Sequence, residues 1–192
     1  MIREKYFEVN YTDRLTPNNV IAKLFPELVE EVRRPVEAPH LQLTLAQSDR
    51  AVIPGSRISL FVEVGLPTVT HVYSPDVKGY IPIALTMEPS KEFEIAAAIY
   101  PPAKTLYLEA IKEQVPVFDG TFRIVQDVRI ANSMEMMKSV GATGKTIQLT
   151  GKFKYQACDD KVCYPPTAVP VTWQVQVLPF DLVRSPEAIR HQ

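Results

Sequence analysis

The chain has 192 residues, of which 46% are hydrophobic and 22% charged, a composition that excludes a wholly disordered protein. Its 21 Lys and Arg nearly balance its 22 Asp and Glu, so it offers no strong positive field for nucleic-acid binding. No apolar run approaches the roughly 18 residues of a membrane span. The chain has only seven glycines and contains neither GxGxxG nor GxxxxGK(S/T), which disfavours nucleotide-binding folds. Its seventeen prolines suit an all-β sandwich.

Residues 1–40 are predicted to form a short helical appendage followed by a linker. Thr16 is a suitable N-cap, and Pro17 suits the first position of a helix. Apolar residues then recur at helical spacing, namely Val20, Ile21, Leu24, Phe25, Leu28, Val29 and Val32. Pro26 predicts a kink, and residues 33–40 are too proline-rich and polar for the interior of an element. The sequence from Met1 contains no apolar signal region and no small-residue cleavage site.

From Leu41 the hydrophobic period changes to two, which is typical of strands with one buried face. The apolar residues of the clearest strands are Leu41, Leu43 and Leu45; Ile58, Leu60, Val62 and Val64; Phe122, Ile124, Val128 and Ile130; Ile147, Leu149, Phe153 and Tyr155; and Val169, Val171, Trp173, Val175 and Val177. In the third strand Gln126 interrupts the apolar face, whereas Asp127 is expected on the opposite, wet face with Arg123 and Arg129. We predict eight or nine strands in an antiparallel sandwich over residues 41–182, followed by a tail over 183–192.

Residues 133–140 fit either a strand or a short helix. Trp173 lies on an apolar face and is expected in the core.

The two cysteines, Cys158 and Cys163, fall between two of the strongest strands and are predicted to meet at a hairpin tip. A structural disulfide is one interpretation, but closing six residues removes unfolded-state entropy worth only about 2 kcal/mol. A metal site would need further ligands, and the histidines His40, His71 and His191 have no ligand-like spacing. The third interpretation is a redox-active pair in a small, easily reduced loop.

The neighbouring residues favour a disulfide that another protein's thiolate attacks. Asp159 and Asp160 disfavour a thiolate at Cys158, and Lys161 offsets only part of that effect. The stiff Tyr164–Pro166 segment suits a fixed recognition surface or simply a loop before an edge strand.

The segments Tyr155-Gln-Ala-Cys158 and Cys163-Tyr-Pro-Pro166 closely resemble the active-site hairpin of the N-terminal periplasmic domain of the thiol:disulfide interchange protein DsbD. The resemblance extends over about residues 41–180, through His71–Pro75, Gly79–Pro82, Tyr100–Pro102 and Val115–Phe122. It implies an immunoglobulin-like sandwich in a periplasmic or other extracytoplasmic compartment. It also implies a protein-disulfide reductase component that relays electrons between thioredoxin-like partners without a cofactor. The alternative is a non-enzymatic interaction module with a structural disulfide.

The same resemblance implies roles for individual residues. Cys163 would form the mixed disulfide with a partner, and Cys158 would resolve it. An aromatic cap would cover the pair, with Phe118 as first candidate and Tyr107 as second, although Phe118 fits a core position nearly as well. Asp119 belongs either to the cap or to a turn. The tyrosines expected to line the site are Tyr73, Tyr80, Tyr155 and Tyr164.

Residues 2–17 separately resemble the end of a peroxiredoxin-like (AhpC/TSA) redoxin. This resemblance implies that the thioredoxin-like partner could precede the sandwich on the same polypeptide.

Overall fold

The structure is a computed structural model that describes residues 14–16, 33–108 and 112–180. These ranges contain one helix, α1 (Met134–Val140), and fourteen strands. The strands are β1 (Arg14–Leu15), β2 (Arg34–Val36), β3 (Gln42–Gln47), β4 (Ala51–Val52), β5 (Ser56–Gly65), β6 (His71–Tyr73), β7 (Ala84–Met87), β8 (Phe93–Ile95), β9 (Lys104–Leu108), β10 (Glu113–Asp119), β11 (Thr121–Ile130), β12 (Lys145–Tyr155), β13 (Ala157–Cys158) and β14 (Thr167–Val177).

The helix predicted after Thr16, most of the redoxin-like segment and the tail over residues 183–192 lie outside the described residues. In the parts that are described, no helix is long and apolar enough to cross a membrane.

Two of the three sheets enclose the main core. One has the order β2-β3-β5-β11-β8, with β1 paired in parallel to β5, and the other has the order β4-β14-β12-β7. Except for β1–β5 and β4–β14, the strand pairs of the described residues are antiparallel. Leu60 and Ile124 from the first sheet and Leu149 and Val175 from the second are fully buried in one cluster. The predicted fold class, an all-β immunoglobulin-like antiparallel sandwich, is confirmed.

The predicted period of two is confirmed in the long strands. β12 and β14 pair along eleven residues each, and every second residue of both is buried. Trp173 is 3% exposed, and its Nε1 donates a hydrogen bond to the carbonyl of Ala46 at 2.9 Å. The prediction that Trp173 is a core residue is therefore confirmed.

The strand count and the position of Asp127 need correction. Twelve strands lie between residues 41 and 180 in the described part of the chain, not eight or nine, because several have only two or three residues and show no periodicity. Asp127 is 6% exposed and accepts a hydrogen bond from the hydroxyl of Ser59 at 2.6 Å, so the second face of β11 is not wet at this point. The buried Gln126 that interrupts the apolar face donates to the carbonyl of Ala96.

Two segments with weak periodicity form regular elements. The predicted linker over residues 33–40 contains β2, whose Pro35 is tolerated because β2 is an edge strand. The ambiguous segment over residues 133–140 is α1, which begins after Ser133. The Ser133 hydroxyl accepts from the backbone N–H of Met136 at 3.1 Å, as an N-cap does.

The third sheet, with the order β13-β6-β10-β9, carries the cysteine loop. One face of this sheet joins the main core through Val72, Phe118 and Ala157. Its other face forms a separate small cluster, which we call the cysteine cluster, composed of Tyr73, Val115, Val117 and Cys158. The third sheet therefore divides its side chains between structural packing and the surroundings of a sulfur atom.

Candidate functional site

The two cysteines form a disulfide whose ends lie in different environments. Cys158 ends β13 and is 1% exposed, whereas Cys163 is an exposed residue. Their backbones form an isolated antiparallel bridge, with Cα atoms 4.0 Å apart. The predicted meeting of the cysteines at a hairpin tip is found in the structure. The tip exposes only one of them, so an incoming thiolate can approach the Cys163 side more easily than the Cys158 side.

Asp159 organises the loop between the cysteines. Its Oδ1 accepts hydrogen bonds from the backbone N–H groups of Lys161 and Val162, both at 2.8 Å, and its Oδ2 accepts from the hydroxyl of Tyr164 at 3.0 Å. The backbone bonds are the main reason why the pKa of Asp159 lies below its ordinary value. Asp159 is therefore ionised at neutral pH, where it places a negative charge beside Cys158.

Tyr164, a predicted lining residue, fixes the chain directly after Cys163. Its ring stacks on that of His40, with centroids 3.7 Å apart and planes 10° from parallel. Its backbone N–H donates to the carbonyl of Ala157 at 2.9 Å, and its own carbonyl accepts from Nε2 of Gln156 at 3.0 Å. The hydrogen bond to Asp159 raises the pKa of the Tyr164 hydroxyl. The position of Cys163 is thus defined by contacts on both sides of the loop.

Aromatic rings pack on the buried side of the disulfide. Tyr73 belongs to the cysteine cluster, and its ring stacks on Tyr80 with a centroid distance of 4.5 Å. The hydroxyl of Tyr80 donates to Glu113 at 2.9 Å, which raises the pKa of Tyr80. Burial raises the pKa of Tyr73. Both tyrosines therefore lie at the site in their neutral, apolar form.

His71 lies directly opposite Cys158 across the β6–β13 pair. On its other side it is opposite Asp119 of β10, so Asp119, His71 and Cys158 form one row across three strands. Direct cross-strand partners point to the same face of a sheet, with Cβ atoms about 4.5–5.5 Å apart. His71 also meets Tyr73, a member of the cysteine cluster, edge to face at 5.4 Å. In the sequence alone, His71 stands out as a histidine without ligand-like spacing and as the first residue of the segment His71–Pro75.

The sequence signal for the position of His71 is the alternation in His71-Val72-Tyr73, which places His71 and Tyr73 on one face of the strand. His71 is 7% exposed, and its Nε2 has no hydrogen-bond partner among the residues that the structure describes. Burial lowers the pKa of His71, although the carboxylates of Asp119 and Asp159 act in the opposite direction. Asp119 itself forms an ion pair with Lys104.

Phe118, Tyr107 and Tyr155 are not members of the cysteine cluster. Alternation along β10 sends the 4%-exposed Phe118 into the main core, where its ring lies 4.9 Å from that of Phe122. Tyr107 is 51% exposed and alternates with Leu106, which packs on the cysteine cluster. Tyr155 is a core residue whose hydroxyl donates to the carbonyl of Pro39 at 2.7 Å, and burial raises its pKa to about 12.

Asp119, the remaining expected residue, ends β10 before the left-handed Gly120, so it occupies a turn position and also faces His71. Among the described residues no group of three or more His, Cys, Asp or Glu side chains could hold a metal ion.

The fold and the cysteine hairpin together define a class of β-sandwich domains that present a disulfide between two long strands. The sequence model of the family described as "Thiol:disulfide interchange protein DsbD, N-terminal" matches residues 42–173, and the chain belongs to this family. The match includes both cysteines. No curated protein matches the chain.

Two solved structures are similar in fold. The N-terminal periplasmic domain of ScsB from Proteus mirabilis shares 12% identity and a TM-score of 0.46; the alignment covers 74% of this chain and 49% of that one. The DsbD N-terminal domain of Neisseria meningitidis, solved in the reduced form, shares 14% identity and a TM-score of 0.39, over 62% of this chain and 82% of that one. The present chain thus spans about half the length of the ScsB domain.

Truncation of Phe118 should behave as a core mutation. Phe118→Ala removes a buried ring and should lower the free energy of unfolding by about 3–5 kcal/mol, measured by urea denaturation. Tyr107→Ala, at the exposed aromatic residue of the adjacent strand, is the matched control and should cost far less. Under native conditions Phe118→Ala should leave the rate of disulfide reduction by dithiothreitol unchanged. Unaltered stability with faster reduction would instead place Phe118 over the disulfide.

Acid should loosen the cysteine loop through Asp159. Because the folded-state pKa of Asp159 is depressed, its loop contacts contribute stability above the unfolded pKa and are lost as pH falls through the folded value. The amide resonances of Lys161 and Val162 should shift together on acidification, with a midpoint below 3.8. Asp159→Ala should abolish this transition, whereas Asp160→Ala should retain it. A midpoint at or above 3.8 would contradict the role given to Asp159.

Proposed function

We propose that the chain exchanges electrons with other proteins by thiol–disulfide exchange at Cys158–Cys163. The observation that carries the proposal is the asymmetry of the disulfide, which joins a buried Cys158 to an exposed Cys163 within the region matched by the family. A partner thiolate attacks Sγ of Cys163, the disulfide breaks, and Cys158 leaves with the bonding electron pair as a thiolate, which then takes up a proton. A mixed disulfide then joins Cys163 to the partner.

In the reverse direction, Cys163 attacks a partner disulfide and Cys158 resolves the adduct. One dithiol is oxidised for each disulfide that is reduced, so two electrons move and no cofactor takes part. The assignment of Cys163 as the attacked residue and Cys158 as the resolving residue rests on their difference in exposure and on the family resemblance.

The loop's own contacts favour exchange over a structural role for the disulfide. Asp159 already holds the loop through two backbone hydrogen bonds, and Tyr164 ties it back to Ala157. A bridge that closes six residues in such a loop adds at most about 2 kcal/mol of entropic stabilisation. A non-enzymatic module with a structural disulfide is the alternative, and it gives no reason for leaving one cysteine exposed.

The partner that we propose is a thioredoxin-like protein. The residues on either side of the exposed Cys163 form an apolar surface for this partner, because Val162 is 50% exposed and the two prolines after Tyr164 are exposed. The family further supports an extracytoplasmic, periplasmic location. The resemblance of residues 2–17 to a redoxin suggests a redoxin domain on the same polypeptide as a second source of the partner.

Single cysteine variants should separate the roles of the two residues. Cys158→Ser should leave the exposed Cys163 able to form a stable adduct with a thioredoxin-like protein that lacks its own resolving cysteine. Cys163→Ser leaves only the buried Cys158 and should give little adduct. Non-reducing gels and intact mass measure both. Stable adducts only with Cys163→Ser would reverse the assignment. A wild-type disulfide that thioredoxin cannot reduce in the native state would establish the structural alternative.

A further inference from the structure

The environment of Cys158 creates a chemical difficulty for its proposed role. A resolving cysteine must become a thiolate, and a thiol with an ordinary pKa near 8.5 is largely protonated at pH 7. Burial in the cysteine cluster and the negative charge of Asp159 both disfavour ionisation further. Resolution by Cys158 therefore needs a group that removes its proton.

His71 is the titratable group that the sheet places directly opposite Cys158. Its ring is on the same face of the sheet, as its contact with Tyr73 of the cysteine cluster shows. Its Nε2 is buried with no hydrogen-bond partner among the described residues, and such an atom in a native fold calls for an explanation. A neutral imidazole with a free acceptor nitrogen is suited to receive a proton.

We propose that His71 accepts the thiol proton of Cys158 when Cys158 resolves a mixed disulfide on Cys163, and donates it in the reverse step. The inference rests on the proposed function. In the resolving step the S–H bond of Cys158 breaks and its proton passes to the imidazole, whose ring becomes positively charged. The thiolate attacks Sγ of Cys163, the Cys158–Cys163 bond forms, and the partner sulfur leaves with the bonding electron pair. The proton then passes from His71 to that sulfur or to solvent.

Several titratable or charged groups surround His71. Asp119 faces it from β10 and is itself paired with Lys104 of β9, Asp159 acts from the loop after β13, and Tyr73 shares its strand. Burial is the largest effect and lowers the pKa of His71, so the imidazole is neutral at pH 7 and available as a base. The two carboxylates favour the imidazolium form that follows proton transfer.

A groove beside His71 provides the route by which the proton reaches water. It has a volume of about 410 Å³ and lies between the loop over residues 66–70 and the end of β10 at Asp119 and Gly120. His71 lines this groove while also facing the disulfide. The residue therefore lies between the strand that ends at Cys158 and an open groove.

The test follows resolution in the reduced protein by stopped-flow absorbance with an aromatic disulfide, 5,5′-dithiobis(2-nitrobenzoate). Cys163 forms a mixed disulfide and releases one thionitrobenzoate, and attack by Cys158 releases the second in a step that is independent of reagent concentration. In the wild type, the rate of the second step should rise with pH through the His71 titration and then level off. In His71→Gln the rate of the second step should instead be proportional to the hydroxide concentration. It should rise tenfold per pH unit until the pH reaches the pKa of the thiol.

The expected loss in His71→Gln is at least about tenfold at pH 7, with rates converging once the pH is high enough for the thiol to ionise without a base. Ser74→Ala is the matched control, because the buried hydroxyl of Ser74 also lacks a hydrogen-bond partner among the described residues but does not titrate in this range. It should keep the wild-type profile. Asp119 occupies an exposed position, and its charge favours the imidazolium form of His71. In Asp119→Asn the resolution rate should therefore begin to rise at a lower pH than in the wild type.

Rates that fall equally at every pH in His71→Gln, or profiles of the same shape as the wild type, overturn the inference. A thermal melt shows whether His71→Gln folds. If it does not fold, the inference is overturned when the resolution rate of Asp119→Asn begins to rise at the same pH as that of the wild type. Failure of the proposed function gives a different result, because the native oxidised wild type would then resist reduction by a thioredoxin-like protein, whatever the pH profile of His71→Gln.

Discussion

The division of the third sheet into two faces is the constraint on which the site depends. Successive residues of a strand point to opposite sides, so β6, β10 and β13 each send one set of side chains into the main core and another toward Cys158. Val72, Phe118 and Ala157 anchor the sheet. A shift of one residue in register would exchange the two sets and place a histidine and an aspartate in the core, which the cost of burying unpaired charge opposes.

This arrangement explains why the two cysteines are inequivalent although only four residues separate them. Cys158 is part of a strand and inherits the burial of its sheet face, whereas Cys163 follows the loop that Asp159 holds. Tyr164 then returns the chain to the sandwich through Ala157 and the stacked ring of His40. The exposed end can meet a partner, while the buried end is surrounded by groups that control its protonation.

The long strands could be predicted from sequence because eleven-residue alternation, as in β12 and β14, leaves little ambiguity. The hairpin position of the cysteines followed from those strands. The aromatic residue Phe118 could not be assigned from sequence, because its direction depends on the register of a seven-residue strand that contains a proline. His71 was missed for a related reason: the alternation of His71-Val72-Tyr73 is too short to identify a strand by itself, and its partner Cys158 is 87 positions away along the chain.

The reduction potential of Cys158–Cys163 decides whether this disulfide is redox-active or structural. Equilibration with a thioredoxin of known potential, followed by acid quenching and quantification of thiols, gives the value in the native state. For a redox-active disulfide we expect a potential above about −300 mV, within the range in which thioredoxin-like proteins exchange electrons. A potential below about −300 mV, with a disulfide that opens only when the sandwich is denatured, would contradict it.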